Sequence, residues 1–315
     1  MNKGIPLSIL LFISLVILPK TAATAQNADS VVTPQMQREI LSYIASDDAR
    51  GRAAGTQYCR FIADFIRDEF ARYELLPYNG GDYYCQFRLP NMHMGRNIAG
   101  IVPARRKTDK YIIVSAHYDH MGAINGYVFN GADDNGSGVT VLLGLAKIFS
   151  AMKNIGFNSR YNILFVALDG KEADMSGSKD FVKKLKIPKQ NILCDINLDQ
   201  MGSSLEPVHK NGRPYVIILG KESLPPDARG VIDMANAVSG LNMDIDYTFY
   251  NSKKFADYVY KTSDQIVFRN AGIPSLLVTC GFNDHTYKTT DDVDIIDFDM
   301  MYRRMMLLYH TICHF

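Results

Sequence analysis

The stretch that decides the reading is YIIVSAHYDHMG at 111–122, followed by eight residues and then GADDNGSG at 131–138. Tyr111 to Ala116 is an apolar, β-branched run, so it predicts a buried strand that stops at a polar cluster of His117, Asp119 and His120. The second half places Asp133 and Asp134 in a glycine-rich turn, and Val139 to Phe149 then reads as an apolar helix. Strand end, acidic turn and helix start together put imidazole and carboxylate groups at the C-terminal edge of a sheet. Open α/β folds build their sites there. Nitrogen and oxygen donors of this kind suit zinc.

The whole chain bounds what that site serves. Its 315 residues suffice for one large α/β domain, and 47% hydrophobic residues support a sizeable core. A formal net charge of +1 gives no electrostatic case for nucleic acid or an anionic membrane. Lys3, the apolar run Ile9 to Leu18 and the small residues Ala23-Thr24-Ala25 form a signal peptide over 1–25. The apolar run is too short to span a bilayer, and Pro19 breaks it. The expectation is an exported protein, periplasmic or extracellular, starting near Gln26, with one domain over 26–315 and no membrane span after signal removal. Five cysteines leave at least one unpaired in a monomer. Cys194 and Cys280 lie in apolar runs and read as buried thiols, whereas a Cys59–Cys85 bridge is open but not established by spacing.

Strands and helices alternate along the rest. Helices are expected over Thr33 to Ala45, Tyr58 to Tyr73, Ser176 to Leu185, Leu224 to Val238 and Phe298 to Cys313. Strands are expected over Arg96 to Val102, Tyr161 to Leu168, Asn191 to Leu198, Tyr215 to Leu219 and Pro274 to Thr279. This alternation predicts an α/β fold with a largely parallel mixed sheet and helices on both faces. The strand ends then gather His117, Asp133, Glu172 and Asp199. Each alone reads as a turn or cap group; four at successive strand ends read as a site.

AHYDH followed by GADDNGSG resembles the co-catalytic zinc aminopeptidase family, which includes aminopeptidase Y, bacterial leucyl aminopeptidases and glutaminyl cyclases. The resemblance runs from about Asp47, where SDDARGRAAG is similar to that family's opening loop, to the C-terminus. It implies a zinc exopeptidase-like fold, one or two zinc ions, and a peptide substrate with a free N-terminus. It also implies roles: His117 and Asp199 as ligands of one zinc, Asp133 as a bridging carboxylate, and Glu172 as a ligand of the second. Asp119 is similar to the carboxylate that orients the ligand imidazole.

Three departures weaken the implied chemistry. The family's general base is a glutamate immediately before Glu172, and here that position is Lys171. The last zinc-ligand histidine has two registers in NDHTYKTTDDVD: one puts Lys288 there and keeps the downstream spacing, the other puts His285 there. Gln265 stands where relatives commonly carry His. The readings that follow are a secreted zinc aminopeptidase with weakened catalysis, a non-hydrolytic binder of peptide or amino-acid termini, and a glutaminyl cyclase. Lys171 and Lys288, if both faced the site, would supply positive charge in place of a second metal.

Overall fold

The computed structural model describes residues 28–156, 159–204 and 213–315; the expected export segment and the start near Gln26 lie outside them. Among the described residues, strands β1 (Leu76–Pro77), β2 (Tyr84–Arg88), β3 (Met94–Val102), β4 (Tyr111–His117), β7 (Asn162–Leu168), β8 (Ile192–Leu198), β9 (Tyr215–Leu219), β10 (Asp244–Asp246) and β11 (Ser275–Thr279) build a nine-stranded sheet. Its order is β1-β3-β7-β4-β8-β11-β9-β10, with β2 paired to β3. The centre, β7-β4-β8-β11, is parallel, as expected. Antiparallel pairings β3–β7 and β11–β9 flank it, so the sheet is mixed. Every residue of β7 is buried, which is why NILFVAL reads as a continuous apolar run.

Helices α1 (Pro34–Ile44), α2 (Gln57–Arg72), α3 (Gly138–Asn154), α5 (Val231–Ser239) and α8 (Phe298–His314) contribute to one core cluster. On the opposite side, α4 (Ser176–Lys183) and α7 (Gln265–Asn270) contribute to a second, smaller cluster. A short helix, α6 (Lys253–Val259), packs a third cluster around Phe249. Thr33 caps α1 by accepting from the Met36 N–H at 3.3 Å, and Pro34 occupies the first turn, where no donor is lost. Counting the turn before α3, Ala132–Asn154 is apolar and long enough to cross a membrane, yet 89% of its apolar window is buried inside the fold. It is the central core helix.

The structure refines the sequence reading at four places. The helix after β9 begins at Val231, not Leu224, because Pro225 and Pro226 remove donors that a helix would need. The eight residues after Gly122 are a hairpin, β5 (Gly122–Ile124) and β6 (Tyr127–Phe129), turned by Asn125-Gly126 with both φ positive. That dipeptide is the usual two-residue hairpin signal. Strand β2 adds an antiparallel partner to β3 from a polar and aromatic run. Cys59 and Cys85 are both free thiols: Cys59 belongs to the first core cluster and Cys85 packs against the second, so they do not face one another. Cys194 and Cys280 are buried, as read.

Candidate metal centre

Three parallel strands deliver the site. His117 is the last residue of β4, Lys171 and Glu172 lie three and four residues beyond β7, and Asp199 directly follows β8. His117 is fully buried, and its Nδ1 lies 3.1 Å from the backbone carbonyl of Asp119. With Nδ1–H donating there, Nε2 carries the lone pair in the neutral ring. It points at Asp134 Oδ1, 3.5 Å away, and Asp199 Oδ1, 3.6 Å away. The orienting role expected of the Asp119 carboxylate is thus divided. Its Oδ1 is 3.8 Å from Nδ1, and its two oxygens accept the Lys171 and Glu172 backbone N–H groups at 3.0 Å each. Asp119 therefore fixes where the β7 loop presents its side chains.

The acidic turn sends its two carboxylates in opposite directions. Asp291 accepts the backbone N–H groups of Asp133 at 2.8 Å and Asp134 at 3.0 Å, clamping the turn from the far end of the chain. Asp133, expected as the bridging ligand, is turned away. Its carboxylate accepts from Gly202 N–H (2.7 Å), Ser137 Oγ (3.0 Å), Asn283 Nδ2 (3.2 Å) and Cys280 Sγ (3.3 Å). Asp134 faces the site instead, and the Asp134–Asn135 peptide is cis. The same loops are tied down by Arg52 of the GR-x-x-G segment. Its buried guanidinium donates to the carbonyls of Tyr118, Asn130 and Gly131. Gly51 before it has φ +64°, and a Cβ there would lie 2.4 Å from the carbonyl oxygens of Gly122 and Phe129. Only glycine fits.

His117, Asp134 and Asp199 offer ligand atoms within 4.8 Å of one another. His117 Nε2, both Asp134 oxygens and Asp199 Oδ1 are buried without a hydrogen-bond partner. Buried groups of this polarity are nearly always paired, so four converging orphans mark a place for a cation. Tetrahedral zinc with bonds of about 2.0–2.1 Å sets neighbouring ligand atoms about 3.4 Å apart, close to the spacing found. The donor set fits zinc.

A second group, His120, Asp134 and Glu172, shares Asp134 with the first. Lys171 reaches into it: Nζ is 2.8 Å from Glu172 Oε1, 3.1 Å from the Tyr287 hydroxyl and 3.8 Å from Asp134 Oδ1. Tyr287 is the closing-loop residue that contacts the site, and its ring stacks on His120 with centroids 6.3 Å apart. Neither histidine register survives in the geometry. His285 Nδ1 pairs with Thr290 Oγ1 at 2.9 Å, Lys288 is exposed, and neither belongs to a ligand group among the described residues. The loop turns at Tyr287, φ +60°, which carries its neighbours outward. Gln265 lies beneath, accepting from Asn197 Nδ2 at 2.8 Å.

Charge dictates protonation. Burial and the neighbouring Lys171 ammonium push His117 down, but Asp134 and Asp199 outweigh them, and the net direction is well above the usual imidazole range. Burial would likewise lower Lys171, yet Asp134, Asp199 and Glu172 hold its amine well above the usual value, so it stays charged. Asp134 runs the other way: burial opposes ionisation, while Lys171 and His117 hold it ionised. Burial pushes His120 down to about 3 and Asp119 up to about 7.

Residues 97–312 match Peptidase family M28. The alkaline phosphatase isozyme conversion protein of Escherichia coli K12 is 29% identical over 202 residues, 59% of this chain. The chain spans about half of that relative, 54% of its length. In fold, the chain resembles BSAP, a zinc aminopeptidase from Bacillus subtilis, at TM-score 0.68 and 13% identity, covering 89% of this chain and 94% of that one. It also resembles the glutaminyl cyclase of Porphyromonas gingivalis at TM-score 0.65 and 20% identity, covering 90% and 99%.

Proposed function

The chain belongs to Peptidase family M28, and from that premise we propose that it is an exported, zinc-dependent aminopeptidase-type protein holding one zinc on His117, Asp134 and Asp199. The observation that carries this reading is the set of four buried, unpartnered donor atoms converging between three strand ends. When bound, zinc supplies a Lewis acid and lowers the pKa of water. Asp119 holds the His117 ring through its carbonyl and the Lys171–Glu172 backbone through its carboxylate. Asp291 keeps Asp134 turned inward.

Lys171 is a fixed cation and not a base. Its ammonium has no lone pair to accept a proton, and three carboxylates keep it charged. It balances Asp134 and Glu172, the service a second metal ion performs elsewhere. With zinc bound, the ion and the Lys171 ammonium together balance Asp134, Asp199 and Glu172. Turnover on this arrangement is slow, because proton removal falls to groups outside the Lys171 position.

The captive Lys171 also favours a second reading, a binder of peptide or amino-acid termini that does not hydrolyse them. Zinc stoichiometry, together with turnover of a panel of aminoacyl-nitroanilides, tests both. One zinc per chain with measurable release supports the peptidase; one zinc with saturable binding and no release supports the binder. Cyclisation of an N-terminal glutamine peptide would replace both with acyl transfer. A chain that takes up no zinc overturns the metal reading.

A further inference from the structure

Two loops at the sheet edge that bears the metal centre expose apolar side chains. The first is the hairpin β5–β6, which begins two residues past His120. In it Ile124 is 43% exposed, and its cross-strand partner Tyr127 is 68% exposed. The second is the turn 89–93 that leads into β3. Because β3 runs antiparallel to β7, with Ile98 opposite Ala167, its first residues stand at the end of β7 from which Lys171 and Glu172 continue. There Met92, at φ +68°, is 64% exposed and Met94 is 41% exposed. The GR-x-x-G segment seats both loops. Gly51 admits the hairpin, and a Cβ on Gly55 (φ +80°) would lie 2.9 Å from His93 Cβ and Leu89 Cδ1. Between those glycines Ala53 and Ala54 are half-buried, and Ala53 forms a parallel bridge with His120.

We infer that Met92, Met94, Ile124 and Tyr127 form an extended apolar subsite for about the third to fifth residues of a peptide whose first residue lies at the zinc. The subsite rests on the peptide reading above and adds a substrate class, longer peptides that are apolar beyond their second residue. Single exposed apolar side chains are ordinary. Four of them, on two loops seated on one short segment beside a metal centre, form a surface suited to a binding partner. Two lengths identify that partner. Ile124 is four residues beyond His120, hence no more than about 14 Å from it, and an extended peptide advances about 3.3 Å per residue. A chain anchored at the zinc therefore reaches the hairpin by about its fifth residue. Gly51 and Gly55 are likewise four residues apart, so the two loops are anchored within about 14 Å of each other, room for one extended chain. The side chains suit a tolerant surface: methionine adapts to varied apolar partners, and tyrosine offers a large contact area at low entropic cost.

The test uses the full chain in the presence of zinc. Its probes are three peptides whose first peptide bond is reduced to CH2–NH, so that hydrolysis there cannot blur binding: Leu-Gly amide, Leu-Gly-Leu-Leu-Leu amide and Leu-Gly-Ser-Ser-Ser amide. Calorimetry should show the apolar pentapeptide binding about tenfold or more tightly than the other two. Tyr127→Ser and Met92→Ser should each remove part of that advantage and together most of it, while Leu-Gly amide stays within about twofold of wild type. Both are surface positions, so thermal unfolding and zinc content should stay as in wild type. Equal affinity for all three peptides overturns the subsite, and so does an apolar preference that survives both substitutions. Concentration-dependent dimerisation that Tyr127→Ser abolishes, with no peptide preference, would give the surface to a second copy and overturn it as well. The two readings fail separately. Leu-Gly amide that binds, with no gain from the longer apolar peptide, sinks only the subsite, whereas a chain that binds none of the three sinks the peptide reading and the subsite together.

Discussion

On one side of Asp134, His117 Nε2 and Asp199 Oδ1 stand 3.6 Å apart, buried and without hydrogen-bond partners. On its other side, Glu172 is met by an ammonium at 2.8 Å that the chain itself supplies. The two half-sites share a carboxylate and a sheet edge, yet they manage negative charge differently. The first leaves its donors open, which is tolerable only if a cation fills the gap. The second closes its gap with a side chain and leaves His120 stranded. The difference lies in the loop after β7, where Lys171 places its ammonium beside Glu172.

The largest effect expected is on the open half. His117→Ala and Asp134→Asn should each abolish stoichiometric zinc uptake, whereas Asp133→Asn should leave one zinc and lower stability by about 1–3 kcal/mol, the cost of disturbing a buried hydrogen-bonded carboxylate. Metal analysis alongside thermal unfolding reads both. If Asp133→Asn were the variant that lost zinc, the assignment of the two carboxylates would be reversed.

An intermediate effect concerns protons in chelator-treated protein. His117 has a folded pKa above its unfolded value of about 6.5, so the stability it contributes is fully present below that pH and lost as pH rises through the raised value. Asp119 and Asp291, pushed up to about 7 by burial, lose stability as pH rises towards 7. His120, pushed down to about 3, gains it from there up to its unfolded value. His120 opposes the carboxylates below about pH 6.5, and above it His117 and the raised carboxylates act in the same direction. Denaturant midpoints should fall as pH rises above about 6.5, and His117→Gln should make that fall shallower. A flat profile in the metal-free parent would mean that His117 holds no proton there.

The smallest effect is expected from the closing loop. His285→Ala and Lys288→Ala should leave zinc stoichiometry at one and affinity within about twofold, in line with surface changes that disturb little. A large loss from His285→Ala would show that the loop folds over the metal in solution and would redraw the comparison.

Much of this was legible before the fold was known. The apolar runs of β4, β7 and β8 are short and bounded by polar residues, so their ends located His117, the Lys171–Glu172 pair and Asp199 directly. The replacement of a base by Lys171 was likewise readable, because it needs only a position in the chain. The resemblance put the bridging role on Asp133, whereas Asp134 is the one that faces His117. Adjacent residues in a tight turn share composition and burial, and the choice between them rests on backbone angles and on Asp291, 157 residues further along. His120 carried a signal, a second imidazole in AHYDH, but nothing local says that both its nitrogens stay dry.

What the sequence alone determined is the order and type of the main elements, the sheet edge that bears the site, and the chemical kinds of group delivered there. These follow from hydrophobic period and strand length, which act over neighbouring residues. Only the tertiary structure decided which of two aspartates turns inward, that Tyr287 and not His285 or Lys288 closes the site, and that Lys171 lies between Asp134 and Glu172. Those outcomes depend on side-chain direction and on hydrogen bonds between segments far apart in the chain. No local pattern encodes them, because each is fixed only when the loops pack against one another.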